Sequence, residues 1–119
     1  MSELTLDKIA EIVRRVKIDV DVLCDVIQCD KDIINFIIAK LCEKYFGESP
    51  VKIPTSMERF KDLDVTNPDD LKKIAVELGV DYSWLMFMVG FIDTALKNAY
   101  EQVKEEMESE KEEIISETE

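Results

Sequence analysis

The sequence predicts a compact all-α domain of about five to six helices with a long C-terminal helix, and three observations carry this. Apolar side chains recur at three- and four-residue spacing almost throughout. Only three Gly and three Pro interrupt 119 residues. Hydrophobic residues make up 46% of the chain beside 35% charged ones, a balance that fits folding around an apolar core. A chain of this length can bury roughly two thirds of its unfolded surface on one core, so a single domain over 1–100 is expected. It divides into helical halves, 1–46 and 57–100, about a loop at 47–56, and 101–119 reads as an acidic helical extension with a frayed end.

The first helix is expected from about Leu6 to Val16, because Ile9, Ile12, Val13 and Val16 share one face. Arg14, Arg15 and Lys17 crowd its end, where positive charge suits the helix dipole. Asp19 or Asp21 then offers a cap for a short second helix through Ile27. Asp30 caps a third, which runs to Phe46 and stops at Gly47. The stretch GESPVKIPTS is the one clear loop, since Pro50 and Pro54 each disfavour helix at the residue before them. Ser56 is read as the cap of a short helix over Met57 to Leu63. The best-marked helix start follows: Asn67 as N-cap, Pro68 at the first helical position, and Asp69 and Asp70 in the first turn. Gly79 ends that helix, Asp81 caps the next, and the last helix runs from about Tyr82 past Val103. Along it an apolar stripe of Leu85, Met88, Ile92, Ala95, Leu96, Ala99, Val103 and Met107 gives way to mostly charged residues, and the terminal SETE is expected to be disordered.

Charge is the next constraint. The net value is -12, and residues 101–119 hold nine acidic and two basic side chains, hence -7 of it. Nonspecific nucleic-acid affinity comes largely from Lys and Arg neutralising phosphates, so general nucleic-acid binding is disfavoured. The N-terminal MSELTLDKIAEIV lacks the basic start and uninterrupted apolar run of a secretory signal. No segment approaches the ~20 apolar residues of a membrane span. A cytoplasmic protein without membrane contact is the expectation. Abundant Ile, Val, Glu and Lys point to a thermophilic source. Cys24, Cys29 and Cys42 lie in apolar helical surroundings with no His in the chain to complete a zinc set, and are read as buried free thiols.

Two stretches align at an offset of 51, VDVLCDVIQCDKDIINFIIAKL and LKKIAVELGVDYSWLMFMVGFI. Leu23 matches Ile74, Cys24 matches Ala75, Ile27 matches Leu78, Cys29 matches Val80, Asp30 matches Asp81 and Phe36 matches Phe87. In the second copy Ala75 is small where two helices would cross, Gly79 relieves the turn, Val80 plugs the angle and Asp81 starts the next helix. This pattern resembles the helix-turn-helix superfamily, so the chain is expected to hold two helix-turn-helix-like units, the first departing with Gln28 in place of Gly. The resemblance implies base contacts from the early exposed positions of each second helix. Those are Lys31, Asp32 and Asn35 in one unit and Tyr82, Ser83 and Met86 in the other. Lys72, Lys73, Arg14 and Arg15 would support them.

Within the last helix, Trp84 to Ile92 read WLMFMVGFI, with no charged side chain among them. A helix facing one core needs a single apolar stripe, yet Met86, Phe87 and Val89 are apolar as well. Either the other helices wrap this segment, or one side around Leu85, Met86, Phe87 and Val89 meets a partner, most simply a second copy of the chain. Gly90 would allow close helix approach, and Met-rich surfaces adapt to partners.

Catalytic chemistry finds no footing in the sequence. No nucleophile and base pair up in a chain without His, and no phosphate-binding glycine pattern exists. Asp62, Asp64 and Thr66 imitate the first positions of a calcium loop, but Asn67 replaces its turn Gly and Lys73 its bidentate Glu. The expectation is a nonenzymatic protein-binding module or accessory subunit, dimeric through residues 84–92, with no cofactor and no metal. The alternative is a small helix-turn-helix transcription regulator that binds DNA through Lys72, Lys73, Tyr82 and Ser83.

Overall fold

The computed structural model describes the backbone of residues 4–118 and the side-chain surroundings of residues 4–109. Four α-helices and one 3-10 helix make up the fold: α1 (Leu6–Cys24), α2 (Lys31–Phe46), the 3-10 helix Thr55–Phe60, α3 (Pro68–Leu78) and α4 (Tyr82–Thr118). No strand occurs among the described residues. The fold is thus the compact all-α domain with a long C-terminal helix that the apolar spacing predicts. No helix is long and apolar enough to cross a membrane among the described residues. SETE, expected to be disordered, is helical as far as Thr118, and residue 119 lies outside the described residues.

α4 is the axis of the molecule. It packs most extensively on α1 and also touches α3 and α2, while α2 carries the 3-10 helix. α1 runs antiparallel to it: Arg15, in the middle of α1, reaches Glu106, whereas Val22 near its end lies beside Met86 and Phe91. One apolar cluster fills the space between the helices, with Ile9, Ile12, Phe36, Ile37, Leu41, Met57, Ile74, Leu85, Met88 and Ile92 all inside it.

Several helix ends stand where their chemistry places them. Asp30 Oδ1 accepts from the amides of Asp32 and Ile33, and Asn67 Oδ1 from those of Asp69 and Asp70. Asp81 Oδ1 accepts from Ser83 and Trp84 in the same way. Gly47 and Gly79 end α2 and α3 in the left-handed conformation, with φ of 81° and 69°.

Three expectations are corrected. The first two helices are one, because Val20 extends the buried stripe of Ile9, Ile12, Val13 and Val16 without a Gly or Pro to stop it. Asp19 and Asp21 are therefore exposed residues within α1 and cap nothing, and α1 is capped by Thr5. Ser56 caps no helix: it lies inside the 3-10 helix, and its hydroxyl donates to Asp32 Oδ2 at 2.7 Å, tying that segment to α2. The third correction concerns sulfur. Cys24 and Cys29 form a disulfide across the α1–α2 turn, with Cα atoms 5.6 Å apart, so only Cys42 is a buried free thiol. Once α1 continues to residue 24, the turn that follows brings the two cysteines within bonding range.

The turns of the two aligned stretches differ in length. Six residues, Asp25 to Asp30, join α1 to α2, and only three, Gly79 to Asp81, join α3 to α4. The matched aromatics also differ, since Phe36 is core and Phe87 is exposed.

Candidate protein-binding face on the last helix

The start of α4 is fixed by Asp81 and by the tight turn at Gly79, and the 100° step per residue then sorts the WLMFMVGFI segment into two faces. Leu85 is 1% exposed, Val89 is 7% exposed, and Met88 and Ile92 are fully enclosed. Met86 and Phe87 point the other way and stand 50% and 51% exposed. The four residues expected at a partner surface are therefore divided. Leu85 and Val89 belong to the core, and Met86 and Phe87 lie on the outside.

The exposed pair does not stand alone. Phe87 stacks in a tilted arrangement on Phe91, ring centroids 6.2 Å apart. Val22 of α1, 64% exposed, lines the same groove with Met86, Phe87, Gly90, Phe91 and Ala95, and Asp19, Ser83, Thr94 and Asn98 add polar edges. Phe87 and Ser83 also border a second cleft, of about 750 Å³, between the two interhelical turns, where Ile27, Cys29, Ile33, Val80 and Trp84 supply apolar walls. Phe87 thus joins two apolar depressions. Ile18 lies four residues before Val22 and is likewise exposed. Sequence reasoning missed Val22 because it split α1. The available signal was that Ile18 and Val22 are spaced by four yet lie off the stripe of Ile9, Val13, Val16 and Val20.

A basic cluster sits at the other side of the α3–α4 turn. Arg59, Lys72 and Lys73 surround Phe60, Leu63 and the exposed Val76, with Glu77 as the one acidic neighbour, 3.9 Å from Arg59. The Arg59 guanidinium lies over the Phe60 ring at 4.7 Å, and the Lys72 ammonium lies 5.8 Å from the centre of the Tyr82 ring. Cation–π contacts of this kind hold the side chains near apolar surface without neutralising them. Ser83 is exposed one residue further along α4. Of the residues named from the helix-turn-helix resemblance, Lys72 and Lys73 line this cluster and Lys72 meets Tyr82, whereas Ser83 lines the two apolar clefts beside Phe87. In the other unit Lys31 and Asp32 are exposed and Asn35 is half-buried, and Asp32 accepts from Ser56. Arg14 and Arg15 do not join the basic cluster. Both pair with Glu11, and Arg15 continues to Glu106 at 2.8 Å.

These pairings set the local electrostatics. Hydrogen bonds from Arg14 and Arg15 hold the Glu11 carboxyl down at about 2, and the bond from Arg15 lowers that of Glu106. Burial pushes the Cys42 thiol up to about 11, which leaves it a poor nucleophile. The acidic loop imitating a calcium site is occupied with its own backbone: Asp64 Oδ1 accepts from the amide and hydroxyl of Thr66, Lys44 lies 3.2 Å from Asp64 Oδ2, and Asp70 accepts from the Asp64 amide. Thr66, chiefly, and Lys44 lower the Asp64 carboxyl. Among the described residues no three His, Cys, Asp or Glu side chains gather as a metal site would need.

No protein-family model matches the chain, and the searches of curated proteins and of solved structures likewise found no match.

Proposed function

We propose that this protein is a noncatalytic binding module or accessory subunit that self-associates through the outer face of α4. One observation carries the reading. Met86 and Phe87 are half exposed in the second turn of a well-packed helix and are continuous with Val22 and Phe91 along a groove. Large apolar side chains gathered on one exposed face, rimmed by polar residues, are the usual surface of a protein interface. A second copy supplies the same chemistry, and twofold pairing of one patch with itself is the commonest way a soluble chain associates. Sedimentation of the wild type and of Phe87→Glu tests this. A mass that rises with concentration in the wild type and stays monomeric in the variant supports the reading, and a wild type that is monomeric at all concentrations removes it.

We assign the protein to the cytoplasm of a thermophile. In such organisms intracellular proteins retain disulfides, which is compatible with Cys24–Cys29.

A second reading rests on the basic cluster. Arg59, Lys72 and Lys73, with Lys72 against Tyr82, are basic groups that a small helix-turn-helix regulator would present to DNA, and Ser83 is exposed next to Tyr82 in the chain. It predicts duplex binding that weakens steeply between about 50 and 200 mM salt and that Lys72→Ala with Lys73→Ala reduces. Salt-independent anisotropy of a labelled duplex would dismiss it. The net charge of -12 and the absence of Arg or Lys on α4 before Lys97 weigh toward the protein partner.

A further inference from the structure

We infer that two copies associate with their α4 helices antiparallel, so that the acidic continuation of each α4 docks on the basic cluster formed by Arg59, Lys72 and Lys73 of the other. The inference rests on the self-association proposed above and adds its direction and its charged contact.

Three features of α4 lead here. At 100° per residue, Ser83, Met86, Phe87, Gly90, Thr94, Lys97, Glu101, Glu105 and Glu108 fall within one outward face centred on Gly90. Glu101, Glu105 and Glu108 are exposed and, with Lys104 among them, make a net acidic stretch that begins about three turns past Gly90, beyond Thr94 and Lys97. Gly90 lies at the patch, and a Cβ there would meet nothing within 4 Å, so the chain's own packing does not require the missing side chain. A partner helix could approach the backbone at that point.

Direction follows from charge. A parallel pair would set Glu101, Glu105 and Glu108 against their own copies, and like charges facing each other oppose association. An antiparallel pair centred near Gly90 instead carries residues 98–108 past the start of the partner's α4. That is where the cluster lies, since Lys72 reaches the ring of Tyr82, the first residue of α4. Within one chain the contact cannot form: a straight helix separates residues 82 and 108 by ~39 Å. Glu106 is excluded from the role because Arg15 of its own chain holds it. The basic cluster also has only one internal acidic partner, Glu77, which meets Arg59 at 3.9 Å and leaves Lys72 and Lys73 without an ion pair among the described residues.

The experiment mixes isotopically light and heavy chains and treats them with a zero-length carbodiimide cross-linker, which joins Lys to Glu side chains in direct contact. Light-to-heavy peptides joining Lys72 or Lys73 to Glu101, Glu105 or Glu108 are expected. Dissociation constants are measured in parallel for Lys72→Glu with Lys73→Glu, alone and combined with Glu101→Lys, Glu105→Lys and Glu108→Lys. The first variant should associate roughly tenfold more weakly at low salt, and the combined variant should recover most of that loss. A dimer with no such cross-link and with an unchanged constant for the lysine variant would overturn the antiparallel docking while leaving self-association in place. A chain that stays monomeric would overturn both.

Discussion

Met86 and Met88 are two residues apart and answer to different physics. Met88 is fully enclosed in the apolar core, so Met88→Ala leaves a cavity and should lower unfolding free energy by ~2–5 kcal/mol. Met86→Glu sets a charge in water and should change the stability of the monomer by no more than about 0.5 kcal/mol. Urea unfolding at micromolar dilution measures both. Sulfur gives a second prediction at this scale. The native protein should react with no thiol reagent, and denaturation without reductant should release one thiol, that of Cys42, because Cys24 and Cys29 are bonded. Replacing both with Ala opens a short loop and should cost about 2 kcal/mol on the chain-entropy scale. Two reactive thiols more than this would return the pair to the free state that the sequence alone suggested. The sequence concealed the bond because an odd number of cysteines and an assumed helix through Ile27 gave no reason to bring residues 24 and 29 together.

Among the elements, helix ends were the most legible features and helix continuity the least. Asp30, Asn67, Asp81, Gly47 and Gly79 declare themselves because capping and left-handed turns need particular side chains or none. The continuation of α1 past Lys17 was not legible in the same way, since Asp19 and Asp21 look like caps until tertiary packing chooses Val20 instead. The junction of α1 with the far part of α4 is the element with a pH dependence. Glu11 and Glu106 have lowered pKa values, chiefly through bonds from Arg14 and Arg15 to Glu11 and from Arg15 to Glu106. A lowered carboxyl pKa stabilises the fold above its unfolded value and loses that contribution as protons return. The contact should therefore be intact above the ordinary glutamate value of 4.5 and should fade as pH falls toward about 2. Protection factors of the amides of residues 102–107 should drop through that window in the wild type, and Arg15→Ala should show low protection with little pH dependence. Equal protection in both proteins would mean that Val103 and Met107 alone hold this part of α4 to α1.

For the whole molecule, the apolar period foretold an all-α domain with a long last helix, because a 3.6-residue repeat constrains architecture strongly. It could not sort the WLMFMVGFI segment, where apolar residues on every side make core and interface look alike. Only the position of the neighbouring helices buries Leu85 and Val89 in the core and leaves Met86 and Phe87 exposed. The proposed partner surface draws on α1 as well as α4, and the part from α1 was hidden by the false break in that helix. Two bodies of net charge -12 repel at long range, so an apolar contact between copies should tighten as salt screens them unless opposite charges meet across it. The most direct test of the account is the mass of the purified chain by light scattering, across concentration, for wild type and Met86→Glu with the helical circular dichroism of each. The account predicts a concentration-dependent dimer for the wild type and a fully helical monomer for the variant. A wild type that is monomeric throughout, or a variant that dimerises as the wild type does, would contradict it.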